Sequence, residues 1–218
     1  MYSFETLNIR GYRDEPVANT FLRQKRETRH LAVLFPGLGY TAHMPVLYYP
    51  GQLLVDRGAD VLRVEYAYIR RPDYQAAPGA ERARWLYADV SAALDLALAQ
   101  REYGQVTLIG KSIGTRAAGH LLSTRAHLPR LQCIWLTPLL RDQALCAQIK
   151  QVKHRALFVI GTADSQYDAG TLAEVRQATG GDSLVIDGAD HGLEIGGDVV
   201  QSIRVMQQVI ERVQKFLG

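Results

Sequence analysis

The sequence predicts an α/β fold in which a mostly parallel central sheet is covered by helices on both faces. From residue 30 onwards, short apolar runs alternate with amphipathic stretches, which is the pattern of successive strand–helix units. Residues 3–11 and 17–24 alternate apolar and polar side chains around the turn RDEP, which predicts an antiparallel hairpin at the sheet edge. The 218 residues can bury a core and contain no internal repeat or low-complexity linker, so a single domain over residues 1–218 is expected.

The strands and helices can be placed in order along the chain. Apolar runs predict strands over residues 30–35, 60–66, 106–110, 131–136, 156–161 and 183–187. Amphipathic stretches predict helices over residues 52–58, 80–101, 115–123, 143–150, 169–179 and 199–217. Pro72 and Pro78 indicate a loop before the long helix at 80–101.

Composition and charge narrow the class of function. The formal net charge of +3, without a long run of like charges, does not indicate a nucleic-acid or membrane partner. No apolar stretch approaches the length of a membrane span, and the first residues lack the pattern of a signal peptide, so a cytoplasmic protein is expected. Cys133 and Cys146 give no disulfide framework, and Cys133 is expected to be a buried thiol.

The sharpest local motif is Gly110-Lys111-Ser112-Ile113-Gly114, which fits G-x-S-x-G between an apolar strand and a helix. A serine on so sharp a turn projects its hydroxyl above the sheet, and the flanking glycines allow close backbone approach. The free N–H groups of the following helix point to the place where an oxyanion would form. Ser112 is therefore the expected nucleophile, and the competing interpretation is a turn that only connects the strand to the helix.

Gly110-Lys111-Ser112 also matches the end of a phosphate-binding P-loop, G-x-x-x-x-G-K-S. That motif requires glycine at position 105, where this sequence has Gln105. The apolar run VTLI at 106–109 also occupies the stretch in which the loop must be flexible. A phosphate-binding loop is therefore not expected here.

His191 and Asp164 complete a candidate triad with Ser112. His191 follows the last predicted strand, so it should lie at the same edge of the sheet as the serine. Imidazole suits a general base because it gains and loses a proton near neutral pH. Asp164 follows the strand 156–161 and can accept the imidazole N–H, which fixes the tautomer of the base. Asp168 is the competing acid, whereas Asp190 is expected to be a turn residue.

The loop 36–40 (PGLGY) follows the strand 30–35, where a second donor to the oxyanion is needed. We assign the two oxyanion donors to the backbone N–H groups of Leu38 and Ile113. Lys111 is expected to be solvated, as is Arg116, with contact to an anion as the alternative. Residues in or near loops at this edge either contact an aromatic or anionic acyl group or simply cover a loop: Tyr40, His43, Tyr66, Tyr68, Arg70 and Arg71.

Residues 37–42 also match the dinucleotide fingerprint G-x-G-x-x-A, with Glu65 as a candidate ribose ligand. That alternative requires a helix that begins within the motif, and Pro45 and Pro50 disfavour a long helix there. It also leaves the candidate triad without a shared explanation. A dinucleotide site is therefore the weaker interpretation.

Taken together, these segments resemble the α/β-hydrolase superfamily over nearly the whole chain. The run GKSIGTRAAG at 110–119 resembles the nucleophile turn of small dienelactone-hydrolase-like proteins. The resemblance implies a serine nucleophile, the chain order Ser112, Asp164, His191, a mainly parallel sheet, and no cofactor or metal. Pro36 departs from the lipase and esterase pattern, in which a histidine often precedes the glycine.

This combination predicts a serine hydrolase that acts on an ester, thioester or similar carbonyl group of a small molecule through an acyl-enzyme. No insertion after the strand 131–136 is large enough for a cap domain, so an open or loop-covered site is expected. Two alternatives stay open: an inactive protein of this fold that binds or scaffolds, and an acyltransferase with an acceptor other than water. The sequence predicts no oligomeric state.

Overall fold

A sheet of eight strands forms the centre of the structure, a computed structural model that describes residues 1–125 and 127–218. The strands are β1 (Tyr2–Glu5), β2 (Ala18–Gln24), β3 (His30–Phe35), β4 (Asp60–Glu65), β5 (Gln105–Lys111), β6 (Gln132–Leu136), β7 (Arg155–Gly161) and β8 (Asp182–Ile186). Their order across the sheet is β1-β2-β4-β3-β5-β6-β7-β8. The pairs β1–β2 and β2–β4 are antiparallel and the other pairs are parallel, which confirms the predicted fold class.

Helices cover both faces of the sheet. They are α1 (Pro45–Asp56), α2 (Pro72–Ala76), α3 (Gly79–Leu98), α4 (Ile113–Thr124), α5 (Gln143–Gln151), α6 (Ala169–Thr179) and α7 (Val199–Leu217). The core on one face is completed by α1 and α7, and the core on the other face by α3, α4, α5 and α6. Because the central strands are buried on both faces, their side chains are apolar on both, which explains the continuous apolar runs in the sequence.

Helix α1 differs from the prediction. It begins at Pro45, whereas the sequence predicts a helix over 52–58. Pro45 lies in the first turn, where an N–H group has no intrahelical acceptor. Pro50 removes one hydrogen bond inside the helix, but α1 packs tightly on the sheet, so that a Cβ on Gly51 would lie 2.8 Å from Leu34. Burial of the apolar face of α1 therefore outweighs the proline.

The edge hairpin has a shorter first strand than the predicted 3–11. Strand β1 ends at Glu5, and the backbone then pairs with a side chain instead of a strand. The Asn19 side chain accepts the Leu7 N–H at 3.0 Å and donates to the Leu7 carbonyl at 2.8 Å. The chain returns to the sheet through a 3-10 turn at Tyr12–Asp14.

The connection between β4 and α3 is more ordered than the predicted loop. It contains a 3-10 turn at Tyr68–Arg70 and the short helix α2, in which Pro72 is the first residue. Helix α3 ends at Leu98, before the predicted end at Arg101. The Arg101 guanidinium instead donates to the carbonyl oxygen of Gln24 on β2 at 2.6 Å, which ties this segment to the sheet edge.

The strand order reverses at β3, which has β4 on one side and β5 on the other. At such a switch point the chain leaves neighbouring strands in opposite directions, and a crevice forms at their carboxyl ends. The loop 36–40 and the turn at Ser112 both lie there. Helix α1 begins beyond residues 37–42, so the helix required by a dinucleotide fingerprint does not start at those glycines.

The helices and the two cysteines bear on two expectations from composition. Across residues 1–125 and 127–218, no helix combines the length and the apolar character that crossing a membrane requires. Cys133 and Cys146 are both buried and unpaired with each other, and the expected burial of the Cys133 thiol is confirmed.

Candidate active site

Ser112 lies on the turn between β5 and α4 in a conformation that few side chains adopt. Its φ of 55° and ψ of −120° lie outside the regions that L-residues prefer. Its N–H donates to the Leu136 carbonyl at 3.1 Å, and its own carbonyl accepts the Thr115 N–H at 2.9 Å and the Thr115 hydroxyl at 2.6 Å. Neighbouring groups therefore hold the strained turn in place, which is typical of functional turns.

Gly110 and Gly114 allow three backbone segments to meet beside this serine. A Cβ on Gly110 would lie 2.4 Å from the Gly114 carbonyl oxygen, and a Cβ on Gly114 would lie 2.0 Å from the Phe35 carbonyl oxygen. Both obstacles are backbone atoms, so they cannot rotate away as the end of a side chain can. The first turn of α4 is thus held against the end of β3, which brings Ile113 next to the loop 36–40.

The structure brings Ser112, His191 and Asp164 into one hydrogen-bonded chain. His191 Nε2 lies 2.9 Å from Ser112 Oγ, and His191 Nδ1 lies 2.8 Å from Asp164 Oδ2. The Asp164 carboxylate is buried, and its other oxygen accepts the Gln166 N–H at 2.9 Å, whereas 40% of the His191 side chain is exposed. When Nδ1–H donates to the carboxylate, Nε2 is left free to accept the serine proton.

The loops that carry the aspartate and the histidine are joined through their backbones. The Ala163 N–H donates to the Ala189 carbonyl at 3.0 Å, and the Thr162 N–H donates to the Ile186 carbonyl at 2.9 Å. A Cβ on Gly161 would lie 1.9 Å from the same Ala189 oxygen. The absence of a side chain at the end of β7 therefore permits the approach that places the carboxylate beside the imidazole.

The two other candidate carboxylates, those of Asp168 and Asp190, accept hydrogen bonds from backbone N–H groups. Asp168 caps α6 by accepting the Thr171 N–H at 2.7 Å, and its hydrogen bonds to Thr171 lower the pKa of Asp168. Asp190 accepts two backbone N–H groups of its own loop, at 2.7 and 3.1 Å, and so has the geometry of a turn residue. It is Asp164 that contacts His191, the alternative that the sequence left open against Asp168.

Leu38 and Ile113, the expected oxyanion donors, lie in the loop after β3 and at the start of α4. Ile113 is the first residue of α4, so its N–H has no acceptor within the helix. Over the ranges that the structure describes, neither the Leu38 N–H nor the Ile113 N–H donates to another protein group. A Cβ on Gly37 would lie 3.4 Å from the Ser112 Cβ, so the backbone of this loop closely approaches the serine. Both N–H groups are available to a bound oxygen.

Lys111 is buried, whereas the sequence favours a solvated side chain. Only 2% of the residue is exposed, and its Nζ donates to the His191 carbonyl oxygen at 2.9 Å and to Thr137 Oγ1 at 3.3 Å. The ring of Tyr40 lies 4.6 Å from the same nitrogen. Successive side chains of β5 point to opposite faces of the sheet, and Lys111 points to the face covered by α1 and α7. The sequence does not indicate this burial, because a charged residue at the end of a strand is usually exposed.

Of the candidate lining residues, Tyr40 and His43 lie in the loop after β3. Tyr40 Oη accepts the Val46 N–H at 2.9 Å, which joins this loop to the start of α1, and burial raises the pKa of Tyr40 to about 12. His43 is largely exposed, and its Nε2 lies 3.9 Å from the carboxylate of Glu65. Tyr40 therefore supports the loop, while His43 faces solvent at its rim.

Tyr68 lies in the core and not at the surface of the site. Only 3% of it is exposed, and its ring stacks between those of Tyr66 and Tyr74 at centroid distances of 4.7 and 4.3 Å. Its hydroxyl donates to Asp89 Oδ2 at 2.6 Å. The expectation that Tyr68 lines the site needs correction, because the 3-10 turn directs this side chain to the face covered by α3.

Leu38 and Ile113 are among the residues that line a pocket of about 200 Å³. Its lining combines apolar side chains with two tyrosines and two arginines: Leu38, Tyr74, Gly79, Arg82, Ala83, Leu86, Tyr87, Ile113 and Arg116. Arg116 is exposed and pairs with Asp142, so it is not simply solvated. Tyr74 and Tyr87 lie in helices and belong to no motif, so nothing in the sequence marks them as lining residues. In the described part of the chain, no three His, Cys, Asp or Glu side chains are grouped to hold a metal ion.

Comparison with known proteins identifies the family. The family model described as an alpha/beta hydrolase domain matches residues 28–218, and the chain therefore belongs to the α/β-hydrolase family. This agrees with the resemblance carried by the nucleophile turn. A comparison with curated proteins finds no match to this chain.

Solved structures share this fold at low sequence identity. An esterase from Pyrococcus furiosus gives a TM-score of 0.72 at 13% identity, with 99% of this chain and 92% of that chain covered. A dienelactone hydrolase from Anabaena variabilis gives 0.70 at 16% identity, with coverages of 99% and 97%. A serine hydrolase without lid from Xanthomonas campestris gives 0.68 at 16% identity, with coverages of 96% and 94%. At these identities the likeness establishes the fold alone.

The backbone contact at Gly114 can be tested with Gly114→Ala. Alanine normally favours a helix over glycine by about 1 kcal/mol, but here its Cβ would lie 2.0 Å from the Phe35 carbonyl oxygen. We expect the substitution to lower the free energy of unfolding by about 1–3 kcal/mol or more. In thermal unfolding this would appear as a Tm lower by roughly 5 °C or more. Gly79→Ala at the start of α3 is the matched control, because nothing lies within 4 Å of its Cβ. Equal Tm values for the two variants would contradict this account of the turn.

Proposed function

We propose that this protein is a serine hydrolase that cleaves an ester, thioester or similar carbonyl group of a small molecule through an acyl-enzyme. One observation carries the proposal: an unbroken chain of hydrogen bonds, of 2.8 and 2.9 Å, runs from buried Asp164 through His191 to the strained Ser112. A serine hydroxyl is a weak nucleophile unless a base within hydrogen-bond reach, itself oriented by a third group, removes its proton. Ser112 lies beside the switch point, and all three groups follow the carboxyl ends of parallel strands, the edge at which this fold binds ligands.

In the first step, Ser112 Oγ attacks the carbonyl carbon while His191 Nε2 takes the hydroxyl proton. Asp164 stabilises the resulting imidazolium through the Nδ1–H bond. The carbonyl oxygen becomes an oxyanion, which accepts hydrogen bonds from the Leu38 and Ile113 N–H groups. When the intermediate collapses, the bond to the leaving alcohol or thiol breaks, and the leaving group takes its proton from His191. The acyl group remains on Ser112.

In the second step, water adds to the acyl-enzyme with His191 as base, and the acid product leaves as Ser112 regains its proton. The 40% exposure of the His191 side chain gives water direct access to this position. Hydrolysis is therefore favoured over transfer to another acceptor, which would need water to be kept out.

The pocket beside Leu38 and Ile113 is the best candidate for the acyl group. Its lining includes Leu38 and Ile113, which carry the two proposed oxyanion donors, and the apolar residues Ala83 and Leu86 of α3. A volume of about 200 Å³ is small for a ligand pocket and favours a short acyl chain. We therefore propose short-chain esters or thioesters as the substrate class.

The roles of Ser112 and His191 can be tested with a fluorophosphonate probe and peptide mass spectrometry. We expect the probe to modify Ser112 in the native protein and to modify neither Ser112→Ala nor His191→Ala. We also expect each variant to lower kcat for a p-nitrophenyl ester by at least about 1,000-fold, because base and nucleophile act as one unit. Circular dichroism would verify that the variants are folded. An unlabelled, folded native protein would instead favour a binding or scaffold role for this fold.

The choice of acid can be tested by comparing Asp164→Asn with Asp168→Asn. The first change removes the carboxylate that accepts from His191 Nδ1, so kcat should fall by about 10,000-fold. The second keeps a side-chain oxygen that can cap α6, so kcat and Tm should both stay close to native values. A large loss of kcat in Asp168→Asn alone would show that Asp168, and not Asp164, is the acid.

The acyl pocket can be tested by adding bulk on one helix at two positions. Ala83→Leu fills the pocket, whereas Ala80→Leu places the same side chain on the exposed surface of α3 outside the lining. With p-nitrophenyl acetate, butyrate and octanoate, we expect the native protein to prefer the shorter esters. Ala83→Leu should lower kcat/KM for butyrate by about 10-fold or more relative to acetate. The same loss in Ala80→Leu, or no loss in Ala83→Leu, would place the acyl group elsewhere.

A further inference from the structure

Lys111 is a buried cation that the proposed mechanism does not use. It is the last residue of β5 and directly precedes Ser112, yet only 2% of it is exposed. Its ammonium lies between three loops of the site: the loop after β3, which holds Tyr40, the loop after β6, which holds Thr137, and the loop after β8, which holds His191.

The partners of Lys111 form a fixed cradle. Thr137 is fully buried with a φ of 44°, an unusual conformation for a β-branched residue, and its N–H donates to the Val159 carbonyl at 2.7 Å. The Tyr40 ring, 4.6 Å from Nζ, is held in turn by the bond from the Val46 N–H to its hydroxyl. The cradle leaves one strong acceptor for the ammonium, the carbonyl oxygen of His191 at 2.9 Å.

Burying this charge opposes folding. Burial lowers the pKa of Lys111 from its usual 10.5 to about 8, although nearby carboxylates act in the other direction. Because the folded-state pKa lies below the unfolded value, the cost to stability is fully present below pH 8 and disappears as the pH rises towards 10.5. A methionine would fill a similar volume without that cost, so stability alone does not account for a lysine here.

We propose that Lys111 is a positioning residue: by donating to the carbonyl oxygen of His191 from a fixed cradle, its ammonium holds the imidazole against Ser112. The inference rests on the proposed function, because it assigns the imidazole the role of base. The bond acts on the backbone of the histidine itself, so its loss frees the residue whose Nε2 must stay within hydrogen-bond reach of Oγ. A displacement of about 1 Å at such a group costs on the order of 100-fold in rate.

The charge of Lys111 also couples the site to pH. The charged or titratable groups that face it belong to the loops after β3, β7 and β8: Tyr40, Asp164, Asp190, His191 and Glu194. Below about pH 8 the ammonium attracts the three carboxylates and the tyrosine ring. Above it, the neutral amine loses these attractions and holds the loop less firmly. Activity should therefore decline on the alkaline side of pH 8.

The first test is the kinetics of Lys111→Met, with Lys150→Met, an exposed lysine on α5, as the matched control. We expect Lys111→Met to lower kcat for p-nitrophenyl acetate by about 10- to 100-fold with KM changed less than about 2-fold. The rate of fluorophosphonate labelling at Ser112 should fall by a similar factor. The decline near pH 8 should be present in the native protein and in the control but absent from Lys111→Met. Native kcat, or an unchanged alkaline decline, in Lys111→Met would overturn the proposal.

The second test does not depend on activity. Hydrogen–deuterium exchange measured by mass spectrometry reports the loop 188–195, whose amides donate within the loop to Asp190. We expect exchange there to be about 10-fold or more faster in Lys111→Met, with α5 unchanged as an internal reference. Unchanged exchange at 188–195 would overturn the positioning role. If the native protein shows neither labelling nor turnover, the proposed function fails, while this measurement still decides whether Lys111 holds the loop.

Discussion

The contact of three backbone segments around Gly110 and Gly114 is the constraint on which the rest of the site depends. A single Cβ at either position would overlap a carbonyl oxygen, so the end of β3, the end of β5 and the first turn of α4 can meet only where both residues are glycine. This meeting fixes the strained turn of Ser112 and brings the free N–H of Ile113 beside the loop that carries Leu38. Ser112, the proposed nucleophile, and the proposed oxyanion donors are thus placed by backbone geometry and not by side-chain packing.

A second glycine contact of this kind holds the loops on the other side of the site. At the end of β7, Gly161 lets the Ala189 carbonyl approach, and the Ala163 N–H then joins the two loops that present Asp164 and His191. The relative heights of parallel strand ends are set by the register of the sheet, so a few close backbone contacts are enough to align three side chains from three strands. Most other positions only need to be apolar and of suitable size, which is consistent with a fold shared with solved structures at 13–16% identity.

The sequence carried the information that depends on local pattern. Strands buried on both faces appear as apolar runs, and G-x-S-x-G between a strand and a helix marks the turn at Ser112, so fold class and candidate triad could be predicted. Features that depend on tertiary packing could not be predicted from the sequence. Packing on the sheet allows α1 to begin at Pro45 and to continue through Pro50. Tyr68, expected at the site, is buried in the core. The choice of Asp164 over Asp168 depends on Asp168 being used as a helix cap.

The burial of Lys111 could not be predicted, because a charged residue next to Ser112 in the sequence gives no indication of burial. Its placement is related to the exposure of the site. In the described chain no large insertion covers Ser112, Asp164 and His191, and 40% of the His191 side chain faces solvent. The hydrogen bond to Asp164 holds the imidazole, and the bond from Lys111 adds a restraint through the backbone that carries the histidine. A cation is suited to this because one ammonium can bind a carbonyl, a hydroxyl and an aromatic ring at once, and so joins three loops that the sheet alone leaves independent. The cost of burying that charge and the proposed restraint on the imidazole are then two consequences of the same placement.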